Sequence, residues 1–201
     1  GLAVFFLARI LGSLYFINNI SDADLVKRCR RALWGNTGLF LIFFLSFVIR
    51  TLLADGYAVN PENGEIFMEP YKYLTNFIEM PVVLVVFLIG VLAVLWGIIR
   101  TLWKPAFDKG IWFAGAGTVL TVLALLLVAG YNNTAYYPST ADLQSSLTLA
   151  NSCSSQFTLR VMAYVSILVP FVLAYIFYAW RSIDRKKIDA KEMQDEGGHA
   201  Y

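Results

Sequence analysis

Side chains that could bind haem or copper, or relay protons across a membrane, are scarce in this sequence. Sites of these kinds use His, Cys, Met or ionisable residues inside the membrane spans. The single His is His199, two residues from the C-terminus, where a solvated side chain is a better interpretation than a ligand. Met80 and Met162 lie at the ends of apolar segments, and a lone Met usually serves packing. The sequence therefore predicts no catalytic, cofactor-binding or metal-binding residue in this chain.

The other reactive side chains are isolated from one another. Cys29 and Cys153 fall on opposite sides of the membrane in the topology derived below, so they cannot form a disulfide with each other. Glu79 and Asp108 lie at the ends of apolar segments. No Walker A motif, nucleophile with a base or zinc-ligand spacing is present. The net charge of +2 gives no reason to expect nucleic acid as a partner.

Arg9 is the candidate buried polar contact. It falls near the middle of the first apolar segment, where a charged side chain is costly unless it is paired or faces a polar cavity. One interpretation gives Arg9 a buried partner, either a carboxylate on another subunit or the anionic edge of a cofactor. The other places the start of the span upstream of Gly1 and pairs Arg9 with helix carbonyls. Both interpretations stay open at this point.

Five long apolar segments must position these residues. The chain is 58% hydrophobic and 15% charged, whereas a soluble domain carries about 25% charged residues. About 20 apolar residues cross a bilayer, and inside it the backbone must satisfy its own hydrogen bonds, which favours helices. The predicted fold is all-α, an integral membrane protein with an antiparallel bundle of five transmembrane helices in one domain, residues 1–201. The predicted spans are about 1–20, 34–53, 80–99, 110–130 and 161–180.

The first segment begins at Gly1 without an initiator Met and without a basic region before it. A secretory signal would have that basic region. The sequence therefore looks like the second half of a longer subunit, cut or processed within a span.

The charges between the spans predict the orientation, because short cytoplasmic loops are rich in Lys and Arg. Three segments are basic: the connections after the first and third spans and the tail after the fifth. Residues 54–76 and 131–157 together contain a single basic residue, Lys72. We therefore expect a cytoplasmic C-terminus, a charged cytoplasmic tail at 186–201 and two outer loops. The inner basic residues are Lys27, Arg28, Arg30, Arg31, Arg100, Lys104, Lys109, Arg181, Arg185, Lys186, Lys187 and Lys191.

Turn-forming residues predict that the outer loops are structured. Asn60, Pro61, Asn63 and Gly64 form a turn cluster. Ser154, Ser155 or Thr158 could N-cap the last helix, and Pro170 within that helix is tolerated in a membrane.

The second outer loop and the last span carry a family resemblance. The pattern resembles the C-terminal region of subunit II of cytochrome bd quinol oxidase, and all 201 residues are similar to roughly the second half of that subunit. The matching residues are Tyr137, Pro138, Ser139, then 146–149, Asn151, 154–159, Val161, Met162, Pro170 and the basic exit 180–187.

This resemblance implies a function that the residues alone do not give. The oxidase is a heterodimer of the bacterial inner membrane that oxidises quinol and reduces dioxygen to water. Haem b and haem d belong to its subunit I, the expected partner here. Subunit II supports that haem-bearing subunit, lines access routes for oxygen or protons, and in some members holds a structural quinone. No cofactor is then expected in this chain itself.

Two alternatives remain. One is part of a secondary membrane transporter, which would place polar residues and broken helices near the bilayer midplane. Gly115 and Gly117 could mark a soft helix, although small residues also let helices pack closely, and the uncharged third and fourth spans argue against transport. The other is a purely structural membrane scaffold, whose purified complex would contain no haem.

Overall fold

The computed structural model describes residues 1–183. The charged tail predicted at 186–201 and His199 lie outside this range. The described chain is mostly helical, with one short hairpin. Its elements are α1 Leu2–Asn19, α2 Ala23–Leu53, β1 Gly56–Val59, β2 Ile66–Glu69, α3 Lys72–Glu79, α4 Pro81–Trp103, α5 Gly110–Gly130 and α6 Gln156–Ile183, with a single 3-10 turn at Leu143–Ser145.

Five of the described helices are long and apolar enough to cross a membrane: α1, α2, α4, α5 and α6. This confirms the predicted all-α integral membrane fold. The largest difference from the predicted spans is in α2, which begins at Ala23 rather than near residue 34. The Asp22 carboxylate caps this helix by accepting from the Leu25 amide at 2.7 Å. Its 31 residues extend about 46 Å, so the basic first turns project beyond a hydrocarbon core about 30 Å thick.

The connection after α2 contains structure that the hydropathy pattern did not predict. Strands β1 and β2 pair antiparallel, with Gly56 opposite Glu69 and Val59 opposite Ile66. The predicted turn cluster joins them, and Gly64 has a φ of 73° there, which favours glycine. The short amphipathic helix α3 follows, and a backbone bridge from Ala58 to Thr134 connects the two outer loops.

The core of the bundle is formed by four of the five long helices. Its buried side chains come from α1, α2, α4 and α5: Ile10, Leu14, Leu33, Phe40, Val94, Ile98 and Ala114. Helix α6 contributes no buried residue, and it meets α1 where the Trp180 ring lies 6.4 Å from the Tyr15 ring. The fifth span therefore stands beside the four packed helices.

Helices α4 and α5 pack through a seam of glycines. A Cβ atom at Gly117 would lie 2.5 Å from the Gly90 carbonyl oxygen, and one at Gly97 would lie 2.7 Å from the Gly110 carbonyl oxygen. Real Cβ atoms do not approach so closely, so only glycine allows these two backbones to meet. The buried hydroxyl of Thr121 in the seam donates to the Gly117 carbonyl of its own helix at 2.8 Å. The Thr121 hydroxyl is therefore hydrogen-bonded although it is buried in the seam.

Candidate functional site

The side chains considered for chemistry do not converge in the structure. Met80 is half-buried between α3 and α4, and Met162 is exposed on α6. Cys29 is half-buried on α2 and Cys153 is exposed in the second outer loop. Among residues 1–183, no three His, Cys, Asp or Glu side chains lie close enough together to hold a metal ion. This part of the chain therefore offers no metal centre.

Arg9 lies on the outward face of α1. Its neighbour Ile10 is fully buried in the core, whereas Arg9 is exposed. The guanidinium carbon lies 5.7 Å from the centroid of the Phe5 ring, which provides a weak cation–π contact. No carboxylate among residues 1–183 forms an ion pair with Arg9. The described part of the chain thus supplies no anionic partner for this mid-helix charge.

Arg30 caps the C-terminal end of α4. Its guanidinium donates to the carbonyl oxygen of Thr101, to that of Pro105 at 2.8 Å and to that of Phe107 at 3.4 Å. The last four carbonyls of a helix have no partner within it, and a cation is favourable at the negative end of the helix dipole. Arg30 therefore fastens the basic end of α2 to the connection between α4 and α5, which places both on the same side of the membrane.

Asn76 on α3 caps the C-terminal end of α5 in a similar way. It is fully buried, and its Nδ2 donates to the Val128 carbonyl and to the Thr134 hydroxyl, each at 2.9 Å. Its Oδ1 accepts from Asn132 at 3.1 Å, and Asn132 also donates to the Glu79 carboxylate. One amide therefore joins α3, the end of α5 and the second outer loop.

An apolar cleft lies between the α1–α2 pair and the α4–α5 pair, toward the side of the hairpin. It is half open and has a volume of 1020 Å³, at the upper end of the range for ligand sites, about 300–1,000 Å³. Its walls are mainly apolar, whereas Arg50, Thr51 and Tyr73 lie near its outer end. Representative wall residues are Leu7, Phe40, Phe44, Val94, Leu95 and Leu125.

The polar end of the cleft presents hydrogen-bond donors. Arg50 is exposed and makes no ion pair with any described carboxylate. Burial raises the pKa of the Tyr73 phenol, and the nearby Tyr57 raises it further. The Tyr73 hydroxyl therefore stays protonated and able to donate at neutral pH. This end of the cleft suits a group rich in acceptor oxygens.

Sequence reasoning missed the two caps and the cleft. Arg30 could have been noticed among the basic residues, but nothing in the sequence distinguishes it from Arg28 or Arg31. Asn76 is a polar residue just before an apolar span, which is a weak sign of a cap. The cleft has no sequence signature, because its walls resemble any other apolar helix surface.

Comparison with known proteins places the chain in a family. The family model for subunit II of the cytochrome bd terminal oxidase matches residues 1–183. Subunit 2 of the cytochrome bd-I ubiquinol oxidase from Escherichia coli strains K12, O6:H1 and O157:H7 is 27% identical over 187 residues. The alignment covers 91% of this chain and 48% of each relative, so the chain spans about half the length of these curated relatives. It belongs to the family of cytochrome bd terminal oxidase subunit II.

Proposed function

We propose that this chain is the second half of a non-haem subunit II of a quinol:oxygen oxidoreductase in a respiratory chain. It supports a haem-bearing subunit I that oxidises quinol and reduces dioxygen to water. The observation that carries the proposal is the family match over residues 1–183, which includes all five apolar helices. The complex lies in the bacterial inner membrane.

The haem groups belong to the partner in this proposal. Axial haem ligands are His, Met, Cys or Tyr side chains facing a pocket. The only His of the sequence is His199, outside the described residues. Among the described residues, Met162 and Cys153 are exposed, which supports placing the haems in the partner. We therefore assign haem b and haem d to subunit I.

Quinol enters the proposal as the substrate that subunit I oxidises to quinone. Quinone itself enters it, as the resemblance implies for some members, as a structural component of the complex. Quantifying quinone extracted from the purified complex tests the second role. One equivalent that remains after detergent washing supports a structural quinone, and its complete removal from a stable complex excludes one.

The transporter alternative gains no support from the structure. Helices α4 and α5 are continuous over Pro81–Trp103 and Gly110–Gly130, whereas transporter sites are built from broken helices near the midplane. Gly117 lies in the packing seam, and a Cβ at Gly115 would meet no atom within 4 Å. The scaffold alternative predicts that the purified complex contains no haem.

The proposed orientation rests on two basic segments that lie at the same end of the helix bundle. The Arg30 cap unites the start of α2 with the connection after α4, and both are basic. We propose that this side is cytoplasmic, together with the end of α6, because basic loops stay inside.

Cysteine labelling of intact cells or spheroplasts tests this orientation. A membrane-impermeant maleimide should modify exposed Cys153 from outside and should reach Cys29 only after the membrane is permeabilised. Cys153→Ser is the control that should lose the outside label. If Cys29 were labelled from outside and Cys153 were protected, the orientation would be the reverse of the one proposed.

A reduced-minus-oxidised absorption spectrum of the native complex, purified through this chain, tests the function. We expect haem b and haem d bands from the complex and none from this chain alone. A colourless complex would remove the oxidase assignment and make transport the leading function.

Substitution of Arg9 tests the supporting role of this chain at a single residue. We propose that it makes a buried polar contact with the remainder of the complex, since an unpaired mid-membrane charge is costly. Arg9→Leu should lower assembly and haem content several-fold while turnover per haem stays normal, and Arg9→Lys should retain most of the haem. Normal haem content with lost turnover would contradict this role, and normal content with normal turnover would show that no such contact exists.

A further inference from the structure

The cleft between the helix pairs differs in polarity along its length. Its part farther from Arg50 is lined mainly by apolar side chains such as Phe40 and Val94. The hydroxyls of Thr118 and Thr121 there donate to carbonyls of their own helix. Its outer end is lined by Arg50, Thr51 and Tyr73. A ligand that fits must therefore have a long apolar part and one polar end.

The depth of Arg50 matches that of a lipid headgroup. Arg50 is in the last turn of α2, which ends at Leu53, and a long cationic side chain there reaches the interface. The headgroup of a lipid in the same leaflet would lie at this level. Its acyl chains would run toward the middle of the bilayer, in the direction of Phe40 and Val94.

The charge of Arg50 distinguishes between kinds of lipid. No carboxylate among residues 1–183 pairs with this guanidinium, and guanidinium–phosphate pairs are among the strongest charge-assisted hydrogen bonds in proteins. Tyr73, which also lines the cleft, supplies a further donor. A neutral quinone ring could accept hydrogen bonds from these groups but would leave the positive charge uncompensated.

We propose that the cleft binds an anionic phospholipid from the leaflet on the Arg50 side, with its phosphate on Arg50 and Tyr73 and one acyl chain between the helix pairs. The inference rests on the geometry of the cleft and on the charge of Arg50. It does not depend on the oxidase assignment.

Lipid analysis of the membrane complex, purified through this chain in mild detergent, tests the proposal. Native mass spectrometry should show about one phosphatidylglycerol retained, and a titration should show preference for phosphatidylglycerol over phosphatidylcholine. Arg50→Gln should weaken phosphatidylglycerol binding about tenfold, as expected for the loss of one charge-assisted hydrogen bond. The matched control Arg160→Gln removes an exposed arginine at the start of α6, outside the cleft, and should change nothing.

Two further variants keep the test decisive if Arg50→Gln reduces the yield of the complex. Tyr73→Phe keeps the ring and removes only the donor, so binding should fall by a smaller factor. Ser46→Trp places a large ring in the cleft beside Phe47 and should displace the acyl chain while the headgroup ligands remain.

Several outcomes would overturn the proposal. Equal retention of phosphatidylglycerol by wild type, Arg50→Gln and Ser46→Trp would show that the lipid lies elsewhere. A quinone retained in place of the phospholipid, and lost in Ser46→Trp, would assign the cleft to quinone. A wild-type complex that binds neither would show that protein fills the cleft.

Discussion

Gly117→Leu is expected to prevent the α4–α5 hairpin from packing. A Cβ atom at this position would lie 2.5 Å from the Gly90 carbonyl oxygen and 2.7 Å from the Val94 amide nitrogen. Both are backbone atoms, so no side-chain rotation can relieve the contact and the two helices must separate. Overpacking of an ordinary core costs about 1–3 kcal/mol, and separation of the seam would add the loss of the dispersion contacts along it.

The consequence should be visible in the membrane-inserted protein. We expect Gly117→Leu to insert normally, because leucine favours the bilayer. Little of the inserted protein should survive detergent extraction as a monodisperse complex. Fluorescence-detected size exclusion and the midpoint of thermal aggregation would measure the loss. On the proposed function, the haem content of the complex should fall in parallel, because this chain would no longer fold.

Gly115→Leu is the matched control. It lies on the same helix two residues away, and a Cβ there would meet no atom within 4 Å. The two variants add the same side chain at nearly the same depth, so hydropathy and insertion are equal. Gly115→Leu should behave as wild type. Equal damage by both variants would show that the seam does not hold α4 and α5 together.

This pair of glycines illustrates how far the sequence could predict the fold. Hydropathy predicts the number of spans because crossing a bilayer imposes a length and an apolar composition that few other structures share. It treats Gly115 and Gly117 alike, since both are small residues in the same apolar segment. What separates them is the rotational position of α5 against α4, a tertiary property that one helix alone does not determine.

The outer connections show a second limit. Asn60 and Gly64 correctly indicated a turn, because each supports a backbone conformation that is required locally. The strands on either side have four residues each, too few for a clear period of two in the sequence. Helix α3, with eight residues, falls below the length at which helices form on their own and is held by packing.

The candidate sites were the least predictable part. Arg9 was noticed because a charge inside an apolar segment is unusual. Arg50 lies near a span end, where a long cationic side chain is common because it can reach the interface. The cleft beside Arg50 arises from the spacing between two helix pairs. It is lined by residues as distant in sequence as Leu7 and Thr121, and amino-acid composition does not show that such residues lie around one cleft.

Asn76→Asp should have the second large effect, although it changes one nitrogen to oxygen. In the folded protein the Asn76 amide nitrogen donates to the Val128 carbonyl, which is one of the last carbonyls of α5 and has no helical partner. A carboxylate would instead place an acceptor against that acceptor, in a fully buried position. Burial of an unpaired charge is costly, and we expect a loss of about 2–4 kcal/mol of stability at neutral pH.

The pH dependence separates this electrostatic cause from a change in shape. Burial and the nearby Glu79 carboxylate would both raise the pKa of the carboxyl group that Asn76→Asp introduces, in the folded state. The folded variant then favours the protonated acid, so its stability is greatest at low pH and falls as the pH rises through the folded pKa. The loss of stability relative to wild type should therefore be smaller at pH 5 than at pH 8.

Asn60→Asp is the control for this substitution. Asn60 uses its side-chain oxygen to accept from the Glu62 amide at 3.0 Å, and a carboxylate oxygen serves equally well. Thermal unfolding and limited proteolysis of the outer loops at pH 5 and pH 8 would compare the two. If both variants unfold alike at both pH values, Asn76 is not the cap of α5. If Asn76→Asp alone loosens the loops at pH 8, the same amide that closes α5 also holds α3, and α3 is the helix that positions Tyr73 at the cleft.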